Sequence, residues 1–187
     1  MSTLLAEAPL LTIEEFSRHP DRDHTELLDG VLVERPMGAK AGLIIMNFAR
    51  LLAPFIHAAK IGGFYSSDTG YILWPNNQRR LRFPDASFVA AGRLPNGKVP
   101  EGYFHLAPDF AVEVVSPNDG GCEVQEKVEE YLAAGTRAVA VVYPRAEVVL
   151  VFHADGRALK YTASMALEIP ELFPGFQCPV AELFAID

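Results

Sequence analysis

Two short apolar runs separated by an amphipathic segment constrain the fold of this chain most strongly. The first run, Phe110–Val115, is rich in β-branched residues and is bounded by proline-containing turns, which is typical of a buried strand. Apolar residues at helical spacing follow Asn118-Asp119 to about Ala134 and end at Gly135, a residue type that commonly terminates helices. The second run, Ala138–Tyr143, is another strand, so the order predicts an α/β protein with a mixed sheet flanked by helices.

Local signals place the other elements. Thr12 and Glu15 form a capping box that predicts a short helix over 13–18, and Asp29-Gly30 predicts a hairpin turn. Apolar residues at helical spacing predict a long helix over 42–59. Further strands are predicted in FYSS, GYILW, RRLRF and DASFVA between 62 and 90, then over 147–153 and 158–162, ahead of an irregular tail.

Composition limits the classes of protein that need to be considered. At 187 residues we expect a single domain, 1–187, with a sizeable core. The formal charge of −8 argues against a surface coated in basic residues, although it leaves room for a local basic groove. Cys122 and Cys178 are far apart in sequence, which favours a reducing cytoplasm over a disulfide or zinc framework. The N-terminus does not resemble a signal peptide, and the apolar segment 41–56 is predicted to be too short and too polar to span a membrane.

One acidic residue, Glu113, interrupts the apolar strand at 110–115. Burying an unpaired carboxylate costs several kcal/mol, so the residue requires a cation or another explanation. Because side chains alternate along a strand, Asp109 and Glu113 share one face. Asp85 heads another short strand, and if the two strands are neighbours, Asp85 and Glu113 would suffice as carboxylate ligands for Mg²⁺.

Lys127 lies about one helical step beside the apolar stripe of the helix that follows. From there its ammonium group could reach the end of the strand and stabilise negative charge on a phosphoryl group. Each of these residues also has a structural interpretation. Asp85 could be an ordinary acidic residue at the entry of a strand, and Lys127 could lie along a solvated helix. Glu113 could form a buried ion pair with an arginine.

Basic and histidine residues give weaker signals. Arg79, Arg80 and Arg82 precede Asp85 and could bind phosphates or form a solvated edge strand. The five histidines are scattered without ligand spacing, and the chain contains no G-x-S-x-G, P-loop or G-x-G-x-x-G motif. These absences disfavour triad hydrolases, NTPases and dinucleotide-binding enzymes.

Several of these segments together resemble a known family. They are ELLDGVLVE (26–34), RFPDASFV (82–89), PDFAVEVVSPND (108–119), Lys127 with Tyr131 and Gly135, PGF (174–176) and AELF (181–184). The combination resembles the Uma2 family of the PD-(D/E)XK, or restriction-endonuclease-like, superfamily, over about 11–184. The resemblance implies a restriction-endonuclease-like core, with a catalytic core over 80–145, and hydrolysis of DNA phosphodiester bonds that depends on Mg²⁺ or Mn²⁺.

The resemblance also implies roles for individual residues. Asp85 matches the acid of the PD motif and Glu113 the acid of the (D/E)XK motif. Val115 stands where the lysine of that motif is usual, and Lys127 on the following helix matches the lysine instead. Glu26 matches an early acid that some members contribute to the metal site, and with Asp109 it is a supporting candidate. A further departure is Lys40-Ala41-Gly42, where members often carry a histidine.

Three functional hypotheses follow. The first is a Mg²⁺-dependent endonuclease in which Asp85 and Glu113 hold the metal and Lys127 assists the reaction. The second is an inert nuclease-fold protein that acts as a binding or assembly module, motivated by the net charge of −8. The third, an acid-pair glycoside hydrolase, gives Lys127 no role. The sequence leaves the oligomeric state open. In a homodimer, the apolar strands near the C-terminus could supply the interface.

Overall fold

The N-terminal part of the computed structural model forms a small layer beside the main sheet. The structure describes residues 9–35, 38–116 and 121–186. Helix α1 (Ile13–Phe16) carries the predicted capping box and ends two residues earlier than expected. Strands β1 (Thr25–Leu28) and β2 (Val31–Glu34) form the predicted hairpin. Its turn residues have φ of 51° and 88°, the left-handed values that an Asp-Gly turn of this type requires.

Helix α2 (Ala39–Ala59) is the long helix of the molecule and begins three residues before the predicted start. Of the described helices, α2 alone has the length and apolar composition to cross a membrane, which corrects the expectation that this segment is too short. Its apolar residues have another use, because Ile44, Phe48, Leu52 and Ile56 are buried in the main core.

A six-stranded sheet forms the centre of the protein and confirms the predicted mixed sheet flanked by helices. In chain order its strands are β3 (Gly62–Ser66), β4 (Ala86–Ala90), β5 (Phe110–Val114), β6 (Ala138–Tyr143), β7 (Val148–His153) and β8 (Ala158–Thr162), and they lie in that spatial order. Strands β5 and β6 are parallel and all other neighbours are antiparallel. The parallel pair is connected by α3 (Gly121–Ala133), which crosses one face of the sheet.

The two faces of β5 have different neighbours. Val112 and Val114 point into the core that contains α2, whereas Ala111 packs in the core beneath α3. Glu113 lies on the α3 side, where Tyr131 of that helix donates a hydrogen bond to it. The alternation predicted from the sequence is therefore confirmed, and it aims the acidic residue at α3.

Two of the strands predicted between residues 62 and 90 are wrong. GYILW and RRLRF form only isolated bridges, Tyr71↔Arg82, Leu27↔Leu81 and Tyr71↔Phe104, rather than strands. Side chains from these segments instead close a third apolar cluster with α1 and β1, so local tertiary packing overrides strand propensity.

The C-terminal tail, expected to be irregular, contains β9 (Ala166–Leu167), β10 (Cys178–Pro179) and α4 (Val180–Phe184). These elements are too short for periodicity to reveal. The amide of Asn47 on α2 donates to the carbonyl of Leu183 at 3.2 Å, which attaches the tail to the main core.

Asp109 supports the far end of β5. One carboxylate oxygen accepts from the backbone amide of Ala90 at 2.8 Å, and the other lies 3.1 Å from the Arg93 guanidinium. Replacing it by alanine leaves the partly buried Ala90 amide and the Arg93 guanidinium without this partner, and we expect Asp109→Ala to lower the free energy of unfolding by about 2 kcal/mol in urea titrations. The exposed pair of Asp155 and Arg157 provides the control, since Asp155→Ala should change stability little. Equal effects of the two variants would contradict this role for Asp109.

Candidate active site

Asp85 and Glu113 meet across neighbouring antiparallel strands. Strand β4 pairs with β5 in the register Ala86↔Val112, and one step further brings Asp85 opposite Glu113. The backbone amide of Val114 donates to Oδ2 of Asp85 at 2.6 Å, which fixes this carboxylate beside the end of β5. The sequence analysis expected Asp85 and Glu113 to come together only if their strands are neighbours, and β4 and β5 are neighbours.

The Glu113 carboxylate is held by two side chains of α3. Lys127 Nζ lies 3.1 Å from Oε2, and the Tyr131 hydroxyl donates to Oε1 at 3.0 Å. These two helix residues are four positions apart, so they project from the same face of α3. Glu113 is only 6% exposed. The buried acid therefore has both a cation and a neutral donor.

The surroundings place the pKa of Glu113 close to neutrality. Burial raises it, Lys127 lowers it, and the nearby charges of Asp85 and Glu26 raise it further, to about 7. For Lys127, burial alone would lower the pKa, but the charges of Glu113 and Glu26 outweigh burial and raise it above the ordinary value. Burial and the charge of Glu113 raise the pKa of Tyr131, so its hydroxyl remains a donor. Near neutral pH the site has a constant cation beside a carboxyl group that changes its charge.

Glu26 on β1 also reaches this cluster. It is 2% exposed, its Oε1 lies 2.7 Å from Arg82 Nη1, and Lys127 Nζ is 3.8 Å away. Its other oxygen, Oε2, is buried and has no hydrogen-bond partner among the described residues. The bridge Leu27↔Leu81 attaches the hairpin to the rest of the protein and brings Glu26 into place.

The three arginines proposed for phosphate binding have different surroundings. Arg82 is buried and bonds to Glu26 and, through Nε at 2.7 Å, to Glu130. Arg80 bonds to Glu130 and Asp29, each at 2.8 Å, while Arg79 is exposed. Arg80 and Arg82 are therefore engaged with carboxylates. Their contacts disfavour a direct phosphate role for these two residues.

Sequence reasoning missed two participants. Glu130 was not proposed, although it follows Lys127 by three residues on the same helix, a spacing that places side chains close together. Tyr131 is named among the residues that carry the family resemblance but is given no role at the site, and the need of the buried acid for a donor was the available signal. Asp109 is not brought to the cluster, because four residues along a strand separate it from Glu113 by roughly 13 Å.

A cleft of about 530 Å³ opens at this cluster. Its lining includes Glu26, Glu113, Arg82 and Lys127, together with Val115. Within the described ranges, no group of three or more His, Cys, Asp or Glu residues is arranged to hold a metal ion. Mg²⁺, however, commonly uses one or two carboxylates and keeps several waters. The oxygen donors Asp85 and Glu113, with the unpaired oxygen of Glu26 nearby, fit such a cation.

The raised pKa of Glu113 predicts a specific dependence of stability on pH. Between about pH 4.5 and pH 7 the unfolded chain ionises at this residue before the folded protein does, so the metal-free protein loses stability as pH rises through that window. We expect a loss of about 3 kcal/mol relative to Glu113→Gln, measured by urea unfolding at several pH values. The exposed Glu129→Gln variant should follow the parent protein. Parallel curves for Glu113→Gln and the parent would contradict the assignment.

Comparison with known proteins agrees with the fold and the motifs. The fold is similar to a crystal structure of a protein described as a "putative nuclease belonging to DUF820" from Anabaena variabilis, with a TM-score of 0.79 and 19% sequence identity. The match covers 93% of this chain and 97% of that one. A search of curated proteins finds no match. The model of the Uma2 family, described as "Putative restriction endonuclease", matches residues 13–181. The chain therefore belongs to the Uma2 family.

Proposed function

We propose that this protein is a divalent-metal-dependent nuclease that hydrolyses phosphodiester bonds of DNA. The observation that carries the proposal is the contact of Lys127 with Glu113 in the lining of a cleft at the end of β5, where the adjacent Val114 amide holds the Asp85 carboxylate. Two carboxylates suffice to hold a hard divalent cation and an ammonium group can stabilise developing negative charge, a combination suited to metal-assisted phosphodiester hydrolysis. The restriction-endonuclease description of the family supports the same reaction.

Asp85 and Glu113 would hold Mg²⁺ or Mn²⁺. Such a cation, when bound, polarises the scissile phosphate and lowers the pKa of a bound water. Lys127 is cationic, lines the cleft and is positioned to stabilise charge that develops on a phosphoryl oxygen. Tyr131 orients the Glu113 carboxylate through its hydroxyl, because the phenol is fully buried and donates to one oxygen.

A non-cleaving module with the same fold is the second candidate. The net charge of −8 and the engagement of Arg80 and Arg82 with carboxylates favour it, since both reduce the cationic surface available to phosphates. The cleft nevertheless keeps Lys127, which is why we favour the enzyme.

A homodimer and a cytoplasmic location stay predictions. The apolar strand β7 lies inside the sheet, whereas β8 forms one of its edges and exposes Leu159. A dimer interface at this end of the sheet would therefore involve β8 rather than β7. Measurement of the solution mass tests whether the dimer forms.

Cleavage of plasmid and branched DNA with Mg²⁺ or Mn²⁺ tests the catalytic proposal. We expect Glu113→Gln and Lys127→Met each to reduce the rate by roughly 10²–10³-fold, because the first removes a carboxylate ligand of the metal and the second removes the cation beside the developing negative charge. Glu129→Gln, on the exposed face of α3, is the matched control and should cleave at the parent rate. Undiminished cleavage by Glu113→Gln, in a preparation free of contaminating nucleases, would contradict the proposal.

Calorimetry with Mg²⁺ separates the two candidates. We expect the parent protein to bind the ion and Asp85→Asn to lose that binding, because the substitution removes one carboxylate ligand. The asparagine amide oxygen can still accept from the Val114 amide, so the fold should be retained. Absence of binding to both Mg²⁺ and short DNA duplexes in the parent protein would favour the inert module.

A further inference from the structure

A second cavity, of about 430 Å³, lies at the same edge of the sheet as the cleft. The beginning of α2 and the segments that follow β5 and β6 form it, and its lining includes Lys40, Ala41, Val115, Pro144, Arg145 and Ala146. Val115 lines both spaces, so the cavity and the cleft are adjacent. The parallel pair β5 and β6 brings its carboxyl ends to one edge, the usual position of ligand sites in such sheets.

The two spaces differ in charge. Glutamates at positions 26, 34, 113, 123 and 126 line the cleft, whereas the charged residues lining the second cavity are the cations Lys40 and Arg145. Lys40 Nζ donates to the carbonyl of Pro144 at 2.8 Å, which holds its ammonium group at the cavity. Within the part of the chain that the structure describes, neither cation has a carboxylate partner. A cationic cavity in a chain of net charge −8 indicates an anionic ligand.

We propose that this cavity binds the nucleotide next to the scissile phosphodiester on the same DNA strand. Lys40 and Arg145 bind its phosphate, and the apolar residues Ala41, Val115 and Ala146 contact its sugar and base. The proposal rests on the proposed function, because Lys127 marks the position of the scissile phosphate on the other side of Val115.

Size and wall chemistry favour a nucleotide over a free phosphate ion. The volume lies in the range of sites for small organic ligands, about 300–1,000 Å³. Carbon-lined walls give no benefit to inorganic phosphate, but they shield the sugar and base of a nucleotide from water. The DNA strand would then run from the acidic cleft, where a metal offsets the negative charge of the glutamates, to a cavity that supplies cations of its own.

Binding of a short fluorescein-labelled single-stranded DNA, followed by anisotropy in EDTA so that no strand is cut, tests the proposal. We expect Arg145→Glu and Lys40→Glu each to weaken binding about tenfold and to make the salt dependence of log K shallower by about 0.7. Lys98→Glu is the matched control, because Lys98 is exposed in the loop between β4 and β5 and the charge change is identical. Thermal unfolding confirms that each variant is folded, and Arg145→Gln should show the same loss in a smaller degree.

The outcomes separate this inference from the nuclease proposal. If Arg145→Glu and Lys40→Glu bind DNA like Lys98→Glu, the subsite is overturned. If these variants lose DNA affinity while Glu113→Gln leaves cleavage unchanged, the subsite stands and the catalytic proposal fails. Mg²⁺ binding by calorimetry should be unchanged in Arg145→Glu, since Asp85 and Glu113 are intact. Equal loss with RNA and DNA probes would overturn the restriction to DNA.

Discussion

The buried contact of Glu113 with Lys127 is the interaction on which the arrangement of this molecule depends. It joins the end of the central strand β5 to the crossing helix α3 at 3.1 Å, and the Tyr131 hydroxyl completes the attachment. Removing the ammonium group would leave the buried Glu113 carboxylate without its cation, and an unpaired charge is costly in a protein interior. The same contact places the Glu113 carboxylate beside the Lys127 ammonium group in the lining of a cleft. A requirement of folding therefore coincides with a requirement of the proposed chemistry.

Further charges extend this contact into a continuous chain. Lys127 approaches Glu26, Glu26 binds Arg82, Arg82 binds Glu130, and Glu130 binds Arg80. Acidic and basic groups alternate along it, so most of the buried charges have a partner of opposite sign. Among the described residues of this chain of charges, Oε2 of Glu26 and Nε of Arg80 are buried without a hydrogen-bond partner, and Glu26 also lines the cleft. Structural pairing and an open functional position are thus combined in one cluster.

Much of this organisation is predictable from local sequence. The capping box, the Asp-Gly hairpin, the strand–helix–strand order around Glu113 and the alternation of its neighbours all depend on short-range geometry, and the structure confirms them. The segments around Tyr71 and Leu81 are different. Their apolar side chains pack in a small cluster with α1 and β1 instead of forming strands. This packing depends on residues that are distant in sequence.

The sequence by itself determined that a buried strand carries an acid and that a helix with a lysine follows it, because periodicities of two and of 3.6 residues are local properties. Only the tertiary structure decided which partners these groups have. It brought Asp85 and Glu26 to Glu113, left Asp109 at the far end of the strand with Arg93, and engaged Arg82 with glutamates rather than with solvent. The physical reason is that strand pairing and helix docking set distances between charges, and composition carries no information about those distances.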